Sequence, residues 1–162
     1  MSQPVRRSPV DWILEACALS LLVALFATTG IYWDDLPERV PTHFNAAGAP
    51  DAWGKKRSIW LYVGMGAALY GILSAVARFP HWVNLPFEVD KNSAEVQRIL
   101  YRMIQALKIA VLGILFYILV ATIQTASGEF HGLGAWFLPL ALAATFLPLG
   151  FYLFQLYQQQ RR

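Results

Sequence analysis

The stretch Ala16-Cys-Ala-Leu-Ser-Leu-Leu-Val-Ala-Leu-Phe-Ala-Thr-Thr-Gly-Ile-Tyr-Trp33 carries no charge and decides the fold class. A hydrocarbon core about 30 Å thick takes about 20 apolar helical residues to cross, and this run, extended back to Trp12, supplies them. Lipid offers no partners to backbone N–H and C=O groups, so a crossing segment is either a helix or part of a closed barrel. The apolar residues run continuously rather than alternating, which selects the helix. Three further segments read the same way: Ser58–Ala77, Ile109–Gly128 and Gly132–Gln160. The expectation is an all-α integral membrane four-helix bundle, one domain over residues 1–162. Its helices cover about 12–32, 58–77, 93–126 and 133–157, with an extracytoplasmic cap at 33–57 and a cytoplasmic loop at 78–92.

Composition agrees. The 162 residues are 57% hydrophobic and 14% charged, whereas a soluble domain is about a quarter charged. Aromatic residues are abundant, as in chains that cross membrane interfaces. Cys17 stands alone, so neither an internal disulfide nor a multi-cysteine metal cluster is available. The net charge is only +3 and its lysines and arginines are scattered, which argues against nucleic acid as a partner. Arg6 and Arg7 precede the first apolar run, as in a signal peptide, but the run is long for one and no small-x-small cleavage site follows. An uncleaved anchor is expected.

Positive charge sets the expected orientation. Arg6, Arg7, Arg161 and Arg162 lie at the termini, and Arg78, Lys91, Arg98 and Arg102 follow the second helix, with Lys108 at the membrane edge. This places both termini in the cytoplasm, against the opposing vote of Arg39, Lys55, Lys56 and Arg57 in the first loop. Glu15 and Lys108 are read as snorkelling at the cytoplasmic edge, leaving the membrane interior nearly free of charge. A proton-coupled carrier or channel is therefore disfavoured. Gln105, Thr122, Gln124, Tyr62 and Tyr70 are candidates for interhelical hydrogen bonds.

Small residues let membrane helices approach. Gly64, Ala67, Ala68, Gly71 and Ala75 form such rows on the second helix, for packing within the chain or against a second copy or partner subunit. Asn92 followed by Glu95 suggests a capping box opening a long third helix. Arg98 and Arg102, one turn apart, read as a solvated face or a contact for acidic lipid. Pro139 and Pro148 are candidate kinks in the fourth helix.

Residues 33–57 hold the most chemistry. Trp33, Leu36, Phe44 and Trp53 give the loop an apolar face, while Pro37, Pro41, Asn45, Gly48 and Pro50-Asp51 supply turns. The expectation is a compact, rigid Ω-like cap, in which Asn45 and Gly48 are residues that tolerate positive φ. Its candidate ligand-binding residues are Asp34, Asp35, Glu38, Thr42, His43, Phe44, Asn45, Asp51 and Trp53. His43, His131 and Asp51 are weak candidates to converge on a metal, since no spaced ligand motif supports them. No serine elbow, metalloprotease helix or phosphate loop is present, so the chain is read as a non-enzyme without a cofactor.

The segment Leu36-Pro-Glu-Arg-Val-Pro-Thr-His-Phe-Asn45, followed by Gly48, Pro50-Asp51 and Trp53-Gly54-Lys55, resembles the hallmark of a bacterial membrane family of unknown function. That domain also forms the N-terminal part of SdpI-type immunity proteins. Arg78-Phe-Pro-His81 and Asn84-Leu-Pro86 resemble the family's Asn-Tyr-Pro-like cytoplasmic loop, with Val83 and Leu85 where aromatics are frequent. Asn92 to Arg102 is similar to the start of its next helix. The resemblance implies a bacterial cytoplasmic-membrane protein with the hallmark loop outside. In SdpI-type members it implies protection against a secreted peptide toxin, coupled to sequestration of a repressor, although those proteins carry additional helices. Two functions follow as expectations: binding or sensing an extracytoplasmic peptide or lipid-like ligand, or serving as an accessory subunit of a larger membrane complex. A metal-dependent enzyme or metal sensor ranks behind both. Expected partners are membrane lipids, a membrane protein partner and a secreted peptide.

Overall fold

The structure is a computed structural model that describes residues 7–160, so Arg6, Arg161 and Arg162, used above for orientation, lie outside the described residues. Helix α1 (Pro9–Tyr32) leads into a β-hairpin of strands β1 (Arg39–Phe44) and β2 (Pro50–Lys55). A 3-10 turn (Lys56–Ile59) then feeds α2 (Trp60–Arg78), and α3 (Ala94–Ala126) and α4 (Phe137–Gln160) complete the chain. All four helices are long and apolar enough to cross a membrane. The chain is an all-α, multi-pass membrane protein with a small two-stranded sheet.

Helix α3 is the spine, with α1, α2 and α4 packed against it. At 33 residues it is about 50 Å long, well beyond the hydrocarbon thickness. One apolar core joins Ala18 and Leu25 of α1 to Leu112, Leu115, Leu119 and Ile123 of α3, and continues into Leu36, Val40 and Ile59 beneath the hairpin. A second cluster (Val96, Leu100, Met103 and Leu156) joins α3 to α4 near the chain termini. The molecule therefore has a hairpin end, where α1 and α3 finish, and a tail end, where they start.

Several sequence expectations change. Helix α1 begins at Pro9 rather than near residue 12, because Ser8 and Asp11 form a reciprocal capping box: Ser8 N–H donates to Asp11 Oδ2 at 2.8 Å and Asp11 N–H to Ser8 Oγ at 3.3 Å. The capping box expected at Asn92 and Glu95 is not formed. Ser93 is the N-cap of α3 without a side-chain bond, Asn92 N–H is drawn to Asp90 Oδ1, and Glu95 accepts instead from Gln159 on α4 at 2.8 Å. Helix α4 starts at Phe137, since Gly132 and Gly134 hold positive φ angles incompatible with a helix. Pro139 thus falls in the first turn, where its missing N–H costs nothing, and only Pro148 lies in the helix interior.

The helix-packing glycine is not among those expected. Gly64 and Gly71 are exposed, and a Cβ on either would meet nothing within 4 Å; Ala68 is exposed as well, while Ala67 and Ala75 are half-buried. Gly66 takes the role instead: it is buried, and a Cβ there would lie 2.6 Å from Leu25 of α1.

Candidate functional site

The cap is a β-hairpin rather than an Ω-like loop. Its register pairs Arg39 with Lys55, Val40 with Gly54, Pro41 with Trp53, His43 with Ala52 and Phe44 with Pro50, with irregularities on either side of His43. Val40 and Pro41 are buried, and β1 lies against α3, so one face of the strand belongs to the core. Gly54 is needed because a Cβ there would come within 2.6 Å of the Thr42 methyl. At the hairpin's base Trp33 packs on Trp60 with ring centroids 5.9 Å apart, and the Lys56 ammonium sits 5.1 Å from the Trp33 ring centroid.

Asn45 shapes the tip through its side chain, not through a positive φ. Its Oδ1 accepts from Ala47 N–H at 2.9 Å and from Ala49 N–H at 3.1 Å. Gly48 alone on the tip turns left-handed, with φ +80°, and its carbonyl accepts from Leu133 N–H at 2.7 Å. Gly132, at φ +130°, lies so close to Gly48 that a Cβ would run into its carbonyl oxygen. Tyr117 of α3 donates to Leu133 O at 2.8 Å and stacks on Phe137, centroids 5.4 Å apart. The α3–α4 turn and the hairpin tip are thus docked main chain to main chain.

The sequence-predicted site residues are spread over this unit. Asp34, Asp35 and Glu38 are exposed on the approach to β1, and Lys56 Nζ is 3.9 Å from Glu38. Thr42 and Trp53 are exposed on the strands. His43 Nδ1 and Asp51 Oδ1 are 2.5 Å apart on the solvent side. Phe44 and Asn45 line a cavity of about 190 Å³ at the tip, together with Gly48, Leu133, Gly134 and Phe137. Leu133, Gly134 and Phe137 are also walls of a second, mostly apolar groove of about 430 Å³ between α3 and α4, reaching Gly113, Leu140 and Ala144. The convergence of His43, His131 and Asp51 on a metal is not formed: among the described residues no three His, Cys, Asp or Glu side chains stand together in a ligand group.

Sequence reasoning missed the polar centre at the other end. Glu15 and Lys108 do not snorkel. The Lys108 side chain is fully buried, and its Nζ donates to both oxygens of Glu15 at 2.9 and 3.0 Å and to Ser74 Oγ of α2 at 3.0 Å. The ammonium also lies 4.4 Å from the Tyr70 ring centroid. Glu15 accepts further from Tyr70 OH at 2.5 Å, from Tyr101 OH at 3.4 Å and from Gln105 Nε2. Lys108 stands eighteen residues from the hairpin end of α3, about 27 Å along the axis, so the pair lies within the span near its tail side. Beside it Arg102 Nε donates to the buried Asp11 at 2.9 Å, and Arg102 also reaches Ser8 at 3.2 Å; Arg102 is neither a solvated side chain nor a free lipid contact. Gln105 spends its amide N–H groups on Glu15 and Tyr101 and leaves Oε1 buried without a partner. Of the expected interhelical bonds, those of Tyr70, Gln105 and the Tyr62–Thr122 pair (3.4 Å) are present. The signal available in sequence was one acid and one base on different helices at similar depth from the tail end.

Residues 20–67, from the middle of α1 through the hairpin into α2, match the family model described as a domain of unknown function, DUF1648. No curated protein and no solved structure matches the chain. The matched span takes in the second half of α1, the whole hairpin and the first two turns of α2.

Proposed function

We propose that this protein is a non-catalytic binding protein that takes an amphiphilic ligand at its hairpin end. One observation carries the proposal: the tip cavity, to which Asn45 brings a polar side chain, and the mostly apolar α3–α4 groove share Leu133, Gly134 and Phe137 as walls. A polar group bound at Asn45 and the tip would continue directly into an apolar segment lying along Gly113 and Leu140. Asp34 and Asp35, exposed outside the cavity and in no ion pair among the described residues, offer contacts to the basic groups of a cationic amphiphile such as a secreted peptide. The resemblance of the hairpin segment to SdpI-type immunity proteins supports an extracytoplasmic placement and an immunity or signalling role. Binding is preferred to catalysis because the His43–Asp51 pair faces solvent outside the two cavities.

The test is titration of the protein in lipid nanodiscs with a cationic amphipathic peptide and with a lysophospholipid, read by tryptophan fluorescence. A saturable response is expected, lost in Gly113→Leu, which fills the groove at a position where a Cβ meets nothing. Asp34→Asn with Asp35→Asn should weaken the peptide response only. A response that does not saturate, or one unchanged by Gly113→Leu, would remove the proposal.

A second reading, an accessory subunit of a larger assembly, is favoured by the open face of Gly64, Ala68 and Gly71 on α2, which none of the described residues covers. Native mass spectrometry after mild extraction discriminates: a chain that always travels alone defeats it.

A further inference from the structure

At the tail end, a cavity of about 450 Å³ opens between α1, α2 and α3, and its lining is unlike that of the hairpin-end cavities. Arg7, just before α1, and Arg78, the last residue of α2, line it at the level where the helices leave the bilayer. Deeper in, Tyr70, Tyr101 and Glu15 form its walls.

The charges there do not cancel. Glu15 is matched by Lys108, and its oxygens already accept from Tyr70, Tyr101 and Gln105, so it has little left to offer a cation. Asp11 is matched by Arg102. Among the described residues neither Arg7 nor Arg78 takes part in an ion pair. Arg7 is held in place by aromatic rings, its Cζ lying 5.2 Å from the Trp12 centroid and 5.4 Å from that of Tyr101. Two guanidiniums with unspent charge therefore face one cavity whose walls are fixed by the network behind them. Guanidinium groups match phosphate oxygens in charge and in donor geometry.

We propose that this cavity binds the phosphate of an anionic phospholipid from the adjoining leaflet. The lipid source follows from position and surroundings. The cavity lies at the boundary of the membrane span, and Phe79, also in its lining, packs at a tilt against the exposed Trp82 with centroids 4.7 Å apart. Such an aromatic pair is suited to the headgroup region. This site is independent of the hairpin-end ligand, and either can fail alone.

The experiment uses the full chain in mild detergent. Thermal unfolding is followed with added phosphatidylglycerol, with phosphatidylcholine and with inorganic phosphate, and co-purified lipid is measured by native mass spectrometry. Phosphatidylglycerol is expected to raise the melting temperature and to be retained; the other two additions should do neither. Arg7→Gln with Arg78→Gln should lower retention by roughly tenfold or more. Arg98→Gln, an exposed arginine of the same end that lines a different groove, should not. Arg78→Gln alone replaces an exposed side chain that is in no ion pair among the described residues, so it should keep the helical circular dichroism and still lose part of the retention. Full retention in the double variant overturns the site, and an equal loss in Arg98→Gln replaces it with diffuse surface charge. Equal stabilisation by inorganic phosphate overturns the lipid source.

Discussion

The two ends of this molecule solve the same problem, joining α1 and α2 to α3, with opposite materials. At the hairpin end the joint is backbone: the Gly48 carbonyl on Leu133 N–H, Gly132 pressed against Gly48, and a tip shaped by one asparagine. At the tail end it is side chains alone, with Glu15 of α1, Ser74 and Tyr70 of α2, and Lys108, Gln105 and Tyr101 of α3 in one connected polar cluster. A backbone joint depends on conformation and fails locally when a Cβ is added. A charge joint inside a bundle depends on pairing, and it fails badly when one partner is removed because the other stays buried.

Breaking the charge joint should therefore have the largest effect. Glu15→Ala leaves the Lys108 ammonium buried without a counter-charge and should cost about 3–5 kcal/mol, measured by denaturation in detergent. Glu15→Gln combined with Lys108→Met should recover most of that loss, since the apolar replacement removes the unpaired ion. A double variant as unstable as the single one would show that the pair stabilises through geometry beyond its charge. Next in size is Gly132→Ala. Its φ of +130° and the Gly48 carbonyl leave no room for a methyl, so strain of roughly 1–3 kcal/mol is expected. That strain should appear as faster hydrogen exchange in residues 39–55, with α1–α3 protection unchanged. A uniform rise in exchange would erase the contrast between the two ends.

The same contrast explains what was legible in the sequence. The helices were visible because a 30 Å apolar layer imposes a length and a composition on each crossing. The hairpin end was partly visible because backbone joints require particular residue types: Asn45, Gly48, Pro50 and Gly54 stand out in the text of the chain. Even there the residue types alone predict an irregular cap rather than two strands. The pairing of Val40 with Gly54 is a tertiary fact, and Pro41 within β1 argues against a strand unless one side is left unpaired. The tail-end cluster was legible only at its edges: Tyr70 and Gln105 read as interhelical bonding groups, but the ion pair they surround did not. Glu15 and Lys108 are 93 positions apart, and each taken singly lies near enough to an end to snorkel. Only the packing of α1 on α3 brings the acid to the base. The stripe of Gly64 and Gly71 misled for a related reason: spacing shows which residues share a helix face, but not which face the neighbours take.

Between the two extremes stands the Asp11–Arg102 pair, whose acid is buried and whose base is partly open. Asp11→Asn removes both the ion pair and the carboxylate half of the α1 capping box, and should cost about 1–2 kcal/mol. Arg102→Ala should cost at least as much, because it leaves the buried Asp11 carboxylate without its counter-charge and with only the Ser8 N–H bond at 2.8 Å. Thermal melts of both variants check the order, and reversal would mean that water and the Ser8 N–H satisfy Asp11 once Arg102 is gone.

The smallest stability effect is expected where the geometry looks most like chemistry. His43 and Asp51 make a 2.5 Å contact, but their side chains are 68% and 43% exposed. Water competes for both groups and salt screens them, so the pair should contribute no more than about 1 kcal/mol. His43→Ala and Asp51→Asn should therefore leave unfolding nearly unchanged, and the hairpin's exchange protection with it. A loss as large as that of Gly132→Ala would show that the pair holds the irregular register beside His43, making it part of the backbone joint. If stability holds while the response to a cationic amphipathic peptide falls, the pair belongs to the ligand surface, and the exposed side of the hairpin is then separable from the buried side that docks it.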